Sequence, residues 1–137
     1  MTSLVLDGLF DRFPRAKVII HHCGALAPHF SARITESYDS SDTIFGMRQE
    51  GALTKPLIEY FKMFYTDTAL SGGTAGLMCG YALFGPDHLF FGTDMPYDAQ
   101  LGDRIVRSTI ESVDRMAIDE GERQRIYHIN ARKLCNL

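Results

Sequence analysis

The segment VIIHHCGAL, residues 18–26, runs a short apolar stretch into two histidines, a cysteine and a glycine. Val18, Ile19 and Ile20 are β-branched and occupy both parities of an extended chain, the pattern of a strand covered on both faces in a parallel sheet. With Ala16 and Lys17 the run predicts a strand over residues 16–22. ALAPHFSARITESY follows at 25–38 and sets Leu26, Phe30, Ile34 and Tyr38 on one face of a helix. A strand that feeds into an amphipathic helix is half of a βαβ unit, so the fold class turns on whether the unit recurs.

It recurs. KPLIEYFKMF (55–64) has a helical period, FYTDTA (64–69) reads as a strand, SGG (71–73) as a turn, and TAGLMCGYALFG (74–85) as a helix that ends near Gly85 and Pro86. HLFFGTD (88–94) is the next strand, and residues 103–116 form an amphipathic helix with Ile105, Ile110 and Val113 on a shared face. The tail, 119–137, predicts one or two closing helices. At the front, Leu4, Leu6, Leu9, Phe10 and Phe13 recur at helical spacing until Pro14, so residues 2–13 predict a helix. DSSDTIFGMRQEG (39–51) is rich in turn formers and has no clear period, which reads as a loop. Strands that alternate with helices indicate a parallel α/β sheet with right-handed crossovers. Three strands are too few for a closed eight-stranded barrel, which takes about 250 residues.

The 137 residues, 45% hydrophobic and 23% charged, suit one globular domain. A net charge of -3 with Lys and Arg scattered singly leaves no basic stripe for nucleic acid. No apolar run approaches the roughly 20 residues of a membrane span, and MTSLVLDGLF has no signal-peptide pattern, so a cytoplasmic protein is expected. Cys23, Cys79 and Cys135 are odd in number and far apart, which points to reduced thiols rather than a disulfide framework or a zinc knuckle.

Functional groups of parallel α/β folds collect at the carboxyl ends of the strands. Three predicted strands end there in polar side chains: His21 and His22, then Asp67, then Asp94. Successive strand residues face opposite sides, so only one of the two histidines reaches an interior ion in regular strand geometry. Strand-end histidines are often structural, and an aspartate in FFGTDMP can serve as a turn former or helix cap. A histidine and a carboxylate on one rim also suit a divalent ion such as zinc. His88 precedes its strand and belongs to the opposite rim; His29 and His128 fall in helical segments as structural or solvated residues. Cys23, beside a glycine, reads as packing. SGGTAG (71–76) lacks the spacing of a phosphate-binding loop.

HHCGALAPHFSARI (21–34) resembles the segment after the fifth barrel strand in amidohydrolase-related metal enzymes of the aminocarboxymuconate-semialdehyde decarboxylase type. The shared pattern is a histidine, a glycine two on, a proline six on and Arg-Ile eleven and twelve on: His22, Gly24, Pro28, Arg33 and Ile34. FYTDTA resembles the sixth or seventh strand, FFGTDMPY (90–97) the last strand, and NARKLCNL (130–137) the closing helix with its Asn-Ala pair. The resemblance covers nearly the whole chain, in order. It implies a (β/α)8 barrel of which the chain, a single partial domain over 1–137, is the C-terminal part, about half. It also implies one divalent ion, usually zinc and sometimes manganese, with His22 a metal ligand and Asp94 both a ligand and a proton-transfer group. This choice of His22 leaves His21 and Cys23 to packing. Arg33 and Ser71 are the candidate substrate contacts.

The implied function is metal-dependent hydrolysis or non-oxidative decarboxylation of a small aromatic or unsaturated carboxylic acid. Two departures stand out. The family's first strand supplies a His-x-His or Glu-x-Ala/His pair of ligands, and nothing before Lys17 matches it. Relatives that act on muconate semialdehydes carry a histidine four residues after the position of Asp67, where this chain has Ser71. Activity is therefore expected to need the N-terminal barrel strands. The alternative expectation is an inert barrel fragment that acts as an interaction module, either as a homo-oligomer or with a complementing N-terminal half-barrel.

Overall fold

Three very short strands hold together because buried hydroxyls bond across them. The computed structural model describes residues 1–45 and 53–137. Strands β1 (Ile19–Ile20), β2 (Tyr65–Asp67) and β3 (Leu89–Phe90) form one sheet in the order β1-β2-β3, and both pairings are parallel. Thr66 Oγ1 donates to Ile20 O at 2.6 Å, from β2 to β1. Beyond the ladder, Thr68 Oγ1 donates to Gly92 O at 2.9 Å and accepts from Gly92 N at 3.1 Å, which ties the extension of β2 to that of β3. A hydroxyl can donate and accept at once, so the buried Thr68 is satisfied and bonds both ways across the extensions.

The helices are α1 (Thr2–Leu6), α2 (Leu9–Arg12), α3 (Ala27–Phe45), α4 (Leu57–Phe61), α5 (Thr74–Phe84), α6 (Asp103–Asp114), α7 (Glu120–Gln124) and α8 (Asn130–Cys135). Each strand is followed by a helix, so the repeated β-then-α reading of the sequence is the observed one. Among the described residues no helix is long and apolar enough to cross a membrane.

Registered partners share a face of the sheet. Ile20, Thr66 and Leu89 face the helices, and Thr66 and Leu89 are fully buried there. This side holds the core, where Leu57, Tyr60 and Phe61 of α4 meet Val5, Phe10 and Phe64, and Phe10 packs edge-on to Phe64 at 4.9 Å. Each large apolar side chain fully buried there stabilises the fold by about 1.5–3 kcal/mol relative to an exposed one. On the other face stand Ile19, Tyr65 and Phe90; the Tyr65 ring stacks on Phe90 and on His88. The expectation that β1 is covered on both faces is corrected here, because Ile19 is 43% exposed. That face is the one a closed barrel turns inward, and three strands leave it open.

Element boundaries also depart from the sequence reading. The single helix expected over 2–13 is α1 and α2, broken at Gly8, which takes a left-handed conformation (φ 72). The loop expected from 39 is instead the end of α3, which continues to Phe45. Its serines act as helix residues because their hydroxyls fold back on the preceding turn, Ser40 to Glu36 O and Ser41 to Tyr38 O. The remainder of that predicted loop, 46–51, lies outside the described residues. The strands predicted over 16–22, 64–69 and 88–94 shrink to two or three ladder residues each.

The closing segment is fixed by one side chain. Asn130 is buried and donates through Nδ2 to Pro86 O at 2.7 Å and Leu89 O at 2.8 Å, while Ile126 O accepts from Phe91 N at 2.8 Å. These bonds seat α8, and the π-helical turn before it, on the β3 backbone. They give the Asn of the NARKL segment a structural reason.

Two predictions follow from packing. A Cβ on Gly80 in α5 would collide with Cys23 Sγ, so Gly80→Ala should cost about 1–3 kcal/mol of unfolding free energy in urea titration; a change near zero would refute the close contact. Asp11 in α2 accepts from Thr54 Oγ1 at 2.6 Å and from the Tyr60 hydroxyl at 2.6 and 2.8 Å. The Thr54 bond, then the Tyr60 bond, hold its carboxyl below the ordinary range. Its contribution is complete above the ordinary carboxylate value, about 3.9, and is lost as the pH falls through the lowered folded value. Asp11→Asn should flatten the acid limb of stability against pH. Parallel acid limbs in the two proteins would count against the link.

Candidate functional site

The chain turns abruptly where the first strand ends. His21 is still extended (φ -67, ψ 164), whereas His22, Cys23, Gly24 and Ala25 take φ values of 56, 52, 74 and 52. Three of these four are not glycine, and such residues cost of order 1–3 kcal/mol each unless the surroundings impose the conformation. The surroundings do so here. Cys23 is 2% exposed with its sulfur against the α5 backbone at Gly80, and a Cβ on Gly24 would lie 2.9 Å from Phe84 Cζ. Burial, then the nearby Asp67 carboxylate, push the Cys23 thiol up to about 12, so it stays protonated and packs.

The turn changes where the histidines go. His21 and His22 both line a cleft of about 630 Å³ together with Asp67, Ala69, Gly92 and Asp94. The expectation that only one histidine faces the site rested on strand alternation, which does not apply once β1 has ended at Ile20. His21 is accordingly no packing residue: its side chain is 81% exposed, and its Nδ1 stands 3.3 Å from Asp67 Oδ2.

His22 Nδ1 lies 3.0 Å from Ala69 O. A carbonyl can only accept, so Nδ1 carries the proton, and in a neutral ring this leaves Nε2 as the nitrogen free to bind a metal. Asp67 holds three groups together. Its Oδ1 accepts from Cys23 N at 3.3 Å and from Ala69 N at 3.0 Å, and its Oδ2 faces His21. In the sequence Asp67 shows only as a polar strand end, and nothing local signals a bond to a turn 44 residues away.

Asp94 is exposed and left-handed (φ 63), followed by a cis Met95–Pro96 bond. Asp98 stiffens the loop behind it. Its Oδ1 accepts from Gln100 N and Gly102 N and its Oδ2 from Ile105 N at 2.6 Å, in the first turn of α6. Burial raises the Asp98 pKa, but the three amide bonds outweigh it and hold the carboxyl below its ordinary range.

The other candidates lie elsewhere. Arg33 lines a separate groove with Leu26, Phe30 and Ile34, and Ser71 sits exposed in the turn before α5 (φ 49); neither lines the cleft. His88 stands at the amino end of β3, its Nδ1 donating to Phe64 O at 2.9 Å, and His128 and His29 are exposed on helical segments. His22 Nε2 and the Asp94 carboxylate suit a divalent ion as two of its ligands. Among the described residues no group of three or more His, Cys, Asp and Glu comes together to complete the set.

The family described as Amidohydrolase matches residues 1–137. The gamma-resorcylate decarboxylase of Polaromonas sp. (strain JS666) is 27% identical over 130 residues, which cover 93% of this chain and 39% of that protein. The crystal structure of 5-carboxyvanillate decarboxylase from Sphingomonas paucimobilis superposes with a TM-score of 0.81 at 24% identity, over 99% of this chain and 38% of that one. A dihydroxybenzoic acid decarboxylase from Polaromonas sp. JS666, solved with manganese and the inhibitor 2-nitroresorcinol, gives 0.72 at 26% identity, over 95% and 36%. The chain thus spans about two fifths of the length of these relatives. The ion in that solved relative is manganese, where zinc was the first expectation. Amid these matches the fold is part of a (β/α) barrel, and the chain belongs to the amidohydrolase family.

Proposed function

We propose that this chain supplies one part of the active site of a metal-dependent decarboxylase that removes CO2, without oxidation, from a small aromatic carboxylic acid. The observation that carries the reading is the joint presentation of His22 and Asp94 to one cleft in a member of this family. Decarboxylation is preferred to hydrolysis because the relatives act as decarboxylases of gamma-resorcylate and 5-carboxyvanillate.

Loss of CO2 leaves an electron pair on the ring carbon, which must take up a proton. In this reading Asp94 delivers it: the carboxyl proton goes to that carbon and the resulting carboxylate is reprotonated from the open cleft. Asp98 ties the loop that follows Asp94 to the first turn of α6. His22, with Nδ1 tied to Ala69 O, holds Nε2 toward the cleft as a ligand. A divalent ion, manganese as in the solved relative, would supply positive charge to the substrate's carboxylate and neighbouring oxygen. Its remaining ligands would have to be supplied by further barrel strands, which would also cover the open face at Ile19.

A fusion of this chain to the N-terminal part of the Polaromonas gamma-resorcylate decarboxylase tests the reading. Manganese-dependent CO2 release from gamma-resorcylate is expected in the fusion and not in the isolated chain. Asp94→Asn should lower the rate about 10²–10⁴-fold, and His22→Ala should remove manganese binding. A folded, manganese-loaded fusion that releases no CO2 from any aromatic acid would sink the proposal.

A further inference from the structure

We infer that Asp67 is the positioning residue that fixes how His22 is presented to the cleft. The inference rests on the proposed reading of His22 as a ligand, but its geometry stands by itself. His22 is oriented by two things: the peptide that leads away from it, through Cys23 N, and the carbonyl that receives its Nδ1 proton, Ala69 O. One oxygen, Asp67 Oδ1, accepts from the amides of both residues concerned, Cys23 at 3.3 Å and Ala69 at 3.0 Å. The carboxylate therefore couples the end of β2 to the left-handed turn after β1 at the two residues that set the imidazole.

The seat of Asp67 is itself confined. Its side chain is 14% exposed. From the β3 side, a Cβ on Gly92 would stand 3.1 Å from Asp67 Cβ, so the glycine leaves only the space the aspartate uses. The second oxygen faces the exposed His21 ring, with Nδ1 at 3.3 Å, and takes no part in holding His22. Charge-assisted bonds from a carboxylate to amides are stronger than neutral ones, which suits a group that must hold three non-glycine residues at positive φ. An asparagine at 67 keeps an acceptor oxygen for both amides; an alanine keeps none.

The test is nitrogen-15 NMR of the isolated chain at about pH 8, where imidazoles are neutral. Long-range nitrogen–proton correlations distinguish the Nδ1–H from the Nε2–H form. Wild type should show His22 as Nδ1–H, Asp67→Asn should retain that form, and Asp67→Ala should shift it toward Nε2–H. Manganese affinity, read in the fusion to the N-terminal part of the Polaromonas decarboxylase, should fall about 10–100-fold in Asp67→Ala and recover in Asp67→Asn. Wild-type His22 in the Nε2–H form, or an Asp67→Ala protein that retains Nδ1–H, overturns the inference. Should Asp67→Ala not fold, an Asp67→Asn protein that loses the Nδ1–H form overturns it equally. A tautomer that responds as expected, beside a manganese-loaded fusion whose affinity His22→Ala leaves unchanged, upholds Asp67 and refutes instead the ligand reading of His22.

Discussion

The contact on which the site depends is the close approach of the Cys23 sulfur to the α5 backbone at Gly80. The sulfur sits there as the chain leaves the first strand through a run of positive φ values from His22 to Ala25. Gly24 then lies against Phe84 and Pro28, so the same turn fixes where α3 begins. The first βα connection is thus pressed onto the helix that follows the second strand. Two consecutive βα units become one rigid block, and the cleft forms at its upper edge.

That constraint also explains what could be read in the sequence. The alternation of strands and helices follows from apolar periods within each segment, and it survives because those periods are set by burial against the helix layer. The polar strand ends at His21, His22, Asp67 and Asp94 were legible for the same reason: three parallel strands bring their ends to one rim. The orientation of His21 was not legible. Strand parity is a local rule, and here the ladder stops at Ile20 because a turn imposed by Cys23 and Gly80, 57 positions apart, overrides it. The bonding role of Asp67 escaped for a similar reason, since His21 and Cys23 lie on a different unit. The serines of α3 misled in the opposite direction: residues that favour turns in isolation satisfied themselves on the helix backbone.

The two faces of the sheet carry different burdens. On the helix side Thr66, Leu89 and the α4 residues are fully buried, and Asn130 secures the last helix to the Leu89 carbonyl. On the other side Ile19 is exposed, and the Tyr65 ring stacks on Phe90 and on His88. Stability is therefore concentrated on the side away from the cleft, and the cleft residues His21, His22 and Asp94 are all exposed. Side chains that are exposed in this way add little to folding, and so their identity is free to be set by chemistry.

Asp67 is the exception that joins the two burdens. It is nearly buried and hydrogen-bonded like a core residue, yet the groups it holds are those that aim His22. A histidine held only by its own rotamer would sample several orientations and lose affinity for an ion to that entropy. A histidine whose peptide and whose proton acceptor are both tied to one carboxylate has met that cost on folding. On the proposed reading of His22 as a ligand, such preorganisation matters because a metal site gains affinity from each ligand that is already aimed before the ion binds.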